Sequence, residues 1–124
     1  MSKILIIEDD DIMISLLQTL LGIDGYEVVA FKSGEDVLQV VQREQPDVIL
    51  LDVNLKNLGI NHVTGLDLVG QIRSNYDAKH TGVILSSGIN YRQESKAVGA
   101  DGFILKPYMP DDLLKLIKET ITNN

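Results

Sequence analysis

Pro46-Asp47-Val48-Ile49-Leu50-Leu51-Asp52 is the stretch that decides the architecture. Val48 to Leu51 is a short apolar run between a proline and a carboxylate, which suits a strand buried on both faces, as in a parallel sheet. Asp52 then stands at the C-terminal end of that strand. In open α/β sheets the loops leaving this edge form a crevice where ligands bind, so Asp52 is a candidate for chemistry.

The same pattern recurs on either side. Ile4-Leu5-Ile6-Ile7 reads as a buried strand ending on Glu8-Asp9-Asp10-Asp11. Ile12, Met13, Leu16, Leu17, Leu20 and Leu21 then repeat at helical spacing, and Gly22 can end that helix. Tyr26 to Phe31 reads as a strand, with Ser33 as N-cap of a helix carrying Val37, Leu38, Val40 and Val41 on one face. Beyond Asp52 a long connection, Val53 to Thr64, leads to a helix starting near Gly65 with Leu66, Leu68, Val69 and Ile72. Val83-Ile84-Leu85 is a strand ending on Ser86-Ser87-Gly88, followed by a short helix from roughly Tyr91 to Val98. Gly102-Phe103-Ile104-Leu105 is a strand ending on Lys106-Pro107. A last helix opens after Pro110 with Asp111 and Asp112, and Leu113, Leu114, Leu116, Ile117 and Ile121 form its apolar stripe. Strands and helices thus alternate strictly, five of each, which predicts a doubly wound parallel α/β sheet. With 124 residues and no repeat or linker, a single domain spanning residues 1–124 is expected.

Composition narrows the chemistry. The chain has no cysteine, which excludes disulfides and thiolate metal sites. Its apolar runs are too short for a membrane span, and Met1-Ser2-Lys3 leads straight into a strand pattern without a signal-peptide layout, so a cytoplasmic protein with no membrane contact is expected. A formal charge of −7 argues against a nucleic-acid surface and reads as solubility. His62 and His80 sit in polar loops with no second histidine at ligand spacing, so no transition metal is assigned.

If the strands are parallel, their ends bring Glu8, Asp9, Asp52, Ser87 and Lys106 to one edge. Three neighbouring carboxylates repel one another and stay charged only beside a cation. Oxygen donors without His or Cys select a hard ion, and Mg²⁺ fits best. A carboxylate nucleophile with a divalent ion, a lysine and a hydroxyl suits phosphoryl transfer. Plainer roles compete: Asp10 and Asp11 read as solvated or as helix caps, Asp9, Asp52 and Ser87 could each be a cap, and Phe103 could simply be core.

These motifs together resemble the receiver domain of two-component response regulators. Glu8-Asp9-Asp10 is similar to the acidic pair after the family's first strand, and Asp47-Val48-Ile49-Leu50-Leu51-Asp52 to the strand bearing its phospho-acceptor. Val83-Ile84-Leu85-Ser86-Ser87-Gly88 is similar to the strand ending in the switch hydroxyl, and Gly99-Ala100-Asp101-Gly102-Phe103-Ile104-Leu105-Lys106-Pro107 to the one bearing the switch aromatic and the lysine. The resemblance covers essentially the whole chain and implies a flavodoxin-like sheet of strand order 2-1-3-4-5. It implies that Asp52 accepts a phosphoryl group from a phosphohistidine on a sensor histidine kinase or a histidine phosphotransfer protein. Mg²⁺ would lie on Asp9, Asp52 and the backbone carbonyl of Asn54, with Glu8 acting directly or through water. Lys106 would contact a phosphoryl oxygen, with its bond to Pro107 cis. Ser87 and Phe103 would switch the output surface, and Gly88 would leave room for the phosphoryl group. The output would be a changed surface for a downstream protein effector rather than a product, in a monomer or weak homodimer.

Two departures from the family pattern are expected to matter. Lys56 replaces a proline that usually follows the acceptor, and Lys56 to Val63 contains an insertion of about five residues, long for a βα connection. Ser87 to Lys106 is short by a few residues, so the helix between them should be truncated or irregular, which weakens the case for dimerisation through it. If the chain is complete at Asn124, it resembles the single-domain regulators; if it is a piece of a longer protein, the effector lies outside it. A constitutive, non-phosphorylated binding module on the same fold is the alternative, but it has no use for the acidic pair, Asp52 and Lys106. A flavin carrier would need a hydroxyl-rich phosphate loop after the first strand, and an Asp-x-Asp phosphatase an acid where Asn54 stands.

Overall fold

The computed structural model describes residues 2–58, 60, 63–75 and 80–123. Among them the chain forms β1 (Lys3–Ile7), α1 (Asp11–Ile23), β2 (Glu27–Ala30), α2 (Val37–Glu44), β3 (Val48–Asp52), α3 (Gly65–Ser74), β4 (Gly82–Ser87), α4 (Arg92–Ala97), β5 (Gly102–Leu105) and α5 (Pro110–Asn123). The strands are all parallel and run in the order β2-β1-β3-β4-β5. This is the flavodoxin-like arrangement, whose connections leave β1 and β3 adjacent at the point where the winding reverses. No helix among the described residues is long and apolar enough to cross a membrane.

Period-two alternation divides the core into two layers. Leu5, Ile7, Ile49, Leu51, Val83, Leu85 and Phe103 pack with the buried residues of α2 and α3, including Val40, Val41, Leu68 and Ile72. Ile4, Ile6, Val48, Leu50, Ile84 and Ile104 pack with Leu17 and Leu21 of α1 and Leu113 and Ile117 of α5. β3 and β4 are buried along their whole length, which is why their sequences read as unbroken apolar runs.

Several boundaries differ from the sequence expectation. Ser33 is not the cap of α2: Asp36 holds that place, its side chain accepting from Gln39 N, while Ser33 Oγ donates to Leu58 O at 3.2 Å. A carboxylate adjacent to the first helical turn outcompetes a hydroxyl three residues earlier. On α1, Leu17 and Leu21 are buried, but Ile12 and Leu16 are 75% and 62% exposed. That helix therefore carries a wider apolar face than the core covers. Asp10 is its N-cap, accepting from Ile12 N and Met13 N, as one of the two plain readings of that residue had it. Gly22 lies inside α1, which ends at Ile23.

The expected shortening after Ser87 is present, since α4 has only 6 residues. Ser95 on this helix is 2% exposed, and its Oγ has no hydrogen-bond partner among the described residues. A buried hydroxyl without a partner costs free energy, so Ser95→Ala should raise stability by about 1 kcal/mol in urea unfolding. A fall on removing it would contradict this account. Of the expected insertion Lys56–Val63, residues 59, 61 and 62, and with them His62, lie outside the described residues. Its beginning is anchored: Leu55 and Leu58 are buried, and Lys56–Leu58 forms a 3-10 turn. His80 is exposed in a turn.

Candidate functional site

Register brings the site together. β3 pairs with β4 so that Asp52 lies opposite Ser86, and β1 pairs with β3 through Ile7 and Leu51. One step beyond that last pair are Glu8 and Asp52. Glu8 and Asp52 share the parity of Ile6 and Leu50, so both side chains continue the α1/α5 face past its apolar part, where the strands end. Lys106 shares the parity of Ile104 on β5, and its long side chain spans the remaining width.

The result is a compact charged cluster. Lys106 Nζ donates to Glu8 Oε1 at 2.7 Å and to Asp52 Oδ2 at 3.1 Å. Glu8 and Asp52 are 4% and 7% exposed, while the Lys106 side chain is at the rim. Glu8, Asp9 and Asp52 each place a carboxylate oxygen within 4.8 Å of the others. Asn54 N donates to Asp52 Oδ1 at 3.1 Å, and Asp9 N to Glu8 Oε2 at 3.2 Å. Asp52 is thus held through both of its oxygens.

The electrostatics follow from burial. Desolvation, helped by the neighbouring Asp52, pushes Glu8 up from 4.5 to about 7, with Lys106 opposing. Burial alone would lower Lys106, but its hydrogen bonds and charge pairing with Glu8 and Asp52 outweigh it and hold the ammonium above its ordinary value of 10.5. Tyr108 lies at the same rim: burial raises its phenol, with the Lys106 charge opposing and those of Glu8 and Asp52 adding. A raised Glu8 makes apo stability pH-dependent. The folded state holds that proton more tightly than the unfolded chain, so the contribution is fully present below about pH 4.5 and lost as pH rises through about 7. Without divalent cations, the protein should lose on the order of 2 kcal/mol between about pH 5 and pH 8, and Glu8→Gln should flatten that slope. Urea titrations of both proteins at the two pH values measure it. An equal slope in Glu8→Gln would assign it to another group.

Of the residues singled out in the sequence, Glu8, Asp9, Asp52 and Lys106 converge directly. Ser87, buried at the end of β4, accepts from Ile89 N through Oγ, and its carbonyl accepts from Lys106 N. It does not cap α4, whose N-cap position is Tyr91. A Cβ built on Gly88 meets nothing within 4 Å, so the space beside Ser87 is open. The Lys106–Pro107 bond is cis, as expected. Phe103 is only 8% exposed, packed inward beneath the Arg92 guanidinium at 5.5 Å from the ring centroid. Sequence reading took Gly65 only as a helix start. In the structure its backbone lies against the carbonyl of Asp52.

Known proteins share this sequence pattern and fold. The response regulator receiver domain family matches residues 4–118. Over 119 residues the chain is 36% identical to the nitrate/nitrite response regulator protein homolog of Haemophilus influenzae, covering 94% of this chain and 55% of that protein. It is 29% identical over 119 residues to the probable transcriptional regulator ycf27 of Porphyridium aerugineum, covering 96% of this chain and 48% of that one. The chain spans about half the length of these curated relatives. The chemotaxis response regulator CheY4 of Vibrio cholerae superposes with a TM-score of 0.83 at 31% identity, covering 97% of this chain and 98% of CheY4. Sheet order and sequence agree along nearly the whole chain, and the protein belongs to the receiver domain family of two-component response regulators.

Proposed function

We propose that this receiver domain is a phospho-accepting switch, with Asp52 as the acceptor. The observation that carries this is the Lys106 ammonium bonded at once to Glu8 and Asp52, with the Asp9 carboxylate beside them. A binding module gains nothing from two carboxylates buried against one lysine, since such clusters cost desolvation energy. A site that must hold a dianionic phosphoryl group needs them to collect compensating cations.

The donor set fits Mg²⁺. Three carboxylates, with no nitrogen or sulfur ligand beside them among the described residues, select a hard ion, and the raised Glu8 reflects above all the cost of burying its charge, with Asp52 adding to it, a cost that a cation relieves. Asp9, Asp52 and the backbone carbonyl of Asn54 would hold it, with Glu8 directly or through water. When bound, it neutralises charge on the phosphoryl oxygens.

The remaining roles belong to the chain. An oxygen of Asp52 attacks the phosphorus of a phosphohistidine on a sensor histidine kinase or histidine phosphotransfer protein. The P–O bond forms as the P–N bond breaks, and the imidazole leaves with the bonding pair. Asn54 N–H keeps the carboxylate oriented. Lys106 exchanges a carboxylate oxygen for a phosphoryl oxygen. Ser87 Oγ turns from Ile89 N to the new phosphoryl group, for which Gly88 leaves room. Phe103, already inward, is held there, and the surface around α4 and β5 presents a different face to a protein effector. Water later hydrolyses the acyl phosphate, so the only reactions promoted are the protein's own phosphorylation and dephosphorylation, in a cytoplasmic setting.

Intact-mass measurement tests this. Wild type incubated with Mg²⁺ and a small acyl phosphate should gain one phosphoryl group, and excess chelator should prevent it. Unlabelled wild type would overturn the proposal in favour of a non-phosphorylated binding module.

A further inference from the structure

The chain leaves the sheet after Asp52 and returns to it at Gly65, and both ends of this excursion are tied to the same residue. Val53 N donates to Ser86 O at 3.0 Å, and Val53 O accepts from Gly65 N at 2.9 Å. At Gly65 the two segments approach more closely than any side chain permits. A Cβ there would lie 2.4 Å from Asp52 O, 2.9 Å from Val53 Cα and 3.1 Å from the Asp52 carbonyl carbon. The angle of approach is set by the capping box of α3, in which Thr64 and Asp67 bond each other's backbone and side chain. On the outgoing side, Leu55 is 1% exposed, and the peptide of Asn54 is turned so that its N–H meets Asp52 Oδ1.

We propose that Gly65 is a positioning residue for the phosphoryl site. By closing the excursion against the backbone of Asp52 and Val53, it fixes the rotation of the Asp52 carboxylate and of the Asn54 peptide. It also isolates both from the length of the chain between them. The insertion expected in this connection is then carried without disturbing the acceptor, because the two ends of the connection are joined at Val53. This inference rests on Asp52 and the Asn54 carbonyl serving the cation and the phosphoryl group.

Gly70 provides an internal control, because it lies on the same helix and an added Cβ meets nothing within 4 Å. Gly70→Ala should raise the urea midpoint through helix propensity and leave Mg²⁺ affinity within about twofold of wild type. Gly65→Ala should weaken Mg²⁺ binding, measured by calorimetry on the apo protein, by about tenfold or more. The double variant Gly65→Ala/Gly70→Ala should regain stability but not affinity. Two glycines inserted after Asn61 should leave both Mg²⁺ affinity and the rate of labelling by acyl phosphate within about twofold of wild type, since lengthening a closed loop costs little. Recovery of wild-type affinity in the double variant would reduce Gly65 to a folding role and overturn the proposal, as would a tenfold loss on insertion. If both Gly65 variants fail to fold, the insertion variant decides alone. Wild type that neither binds Mg²⁺ nor is labelled would instead defeat the reading of the site, and this proposal with it.

Discussion

Asp52→Asn is expected to end phosphoryl labelling completely while leaving the protein at least as stable as wild type. The carboxamide has nearly the same shape, and its oxygen can still accept from Asn54 N or from Lys106 Nζ, so the rim keeps its packing. What disappears is the nucleophile, because an amide oxygen in a neutral group does not form the acyl phosphate. A buried negative charge facing Glu8 disappears as well. Asp52 is one of the causes that push Glu8 up to about 7, so in the variant Glu8 should return toward its ordinary range. A stability gain of about 1 kcal/mol near pH 8 should follow, together with a weaker pH slope than in wild type. Intact mass after treatment with Mg²⁺ and acyl phosphate, and urea unfolding in the absence of divalent ions, measure the two halves separately. Wild-type labelling of Asp52→Asn would place the acceptor on another residue. Lost labelling accompanied by a large loss of stability would show only that the variant is misfolded.

The pairing of no label with undiminished stability follows from how the strand ends are built, and much of that building is legible in the sequence. Alternation along Ile4-Leu5-Ile6-Ile7 and Val48-Ile49-Leu50-Leu51 is hidden, because both faces are apolar, yet the length of each run and the carboxylate that ends it reveal a buried parallel strand. Parity then says that Glu8 continues the column of Ile4 and Ile6, and Asp52 that of Val48 and Leu50. Once β1 and β3 are neighbours, the two acids must meet. Lys106 follows by the same reasoning from Ile104.

What was not legible depends on where backbones run relative to one another. Ser33 has the chemistry of an N-cap, but the turn before α2 places Asp36 at the helix mouth and sends the Ser33 hydroxyl across to Leu58. Ile12 and Leu16 have helical spacing with the buried residues of α1, but α1 leans on the sheet through Leu17 and Leu21 and leaves them facing outward. The closeness of Gly65 to the Asp52 carbonyl is invisible in sequence, since a glycine at a helix start has many ordinary explanations. The position of Phe103 was equally out of reach. Sequence leaves Phe103 as either a switch aromatic or a core residue, and the structure places its ring inside, covered by Arg92.

Lys106→Met should show how far the cluster depends on the Lys106 ammonium. Methionine keeps most of the length and apolar body of the side chain, so packing changes little, but Glu8 and Asp52 lose the ammonium bonded to both. Breaking a buried charge pair from one side costs about 3–5 kcal/mol, and the partial exposure of Lys106 at the rim places this case near the lower end. The loss should depend on pH in a definite direction. Lys106 opposes the rise of Glu8, so without it Glu8 moves further up and carries its proton to higher pH. Near pH 5 Glu8 is then neutral in both proteins and the stability difference is small. Near pH 8 wild type holds two carboxylates against a lysine, whereas the variant must leave them unpaired or keep Glu8 protonated at a free-energy cost, and the difference approaches about 3 kcal/mol. Added Mg²⁺ should recover much of it, because the three carboxylates can then share the ion instead of the ammonium. Labelling by acyl phosphate should slow by about tenfold or more without ceasing, since the nucleophile remains while one positive contact to the phosphoryl oxygens is gone. Urea unfolding at the two pH values, with and without Mg²⁺, separates this account from its rival. An equal loss at both pH values, unaffected by Mg²⁺, would mean that Lys106 supports the fold through its alkyl chain and that its charge contributes nothing to holding Glu8 and Asp52 together.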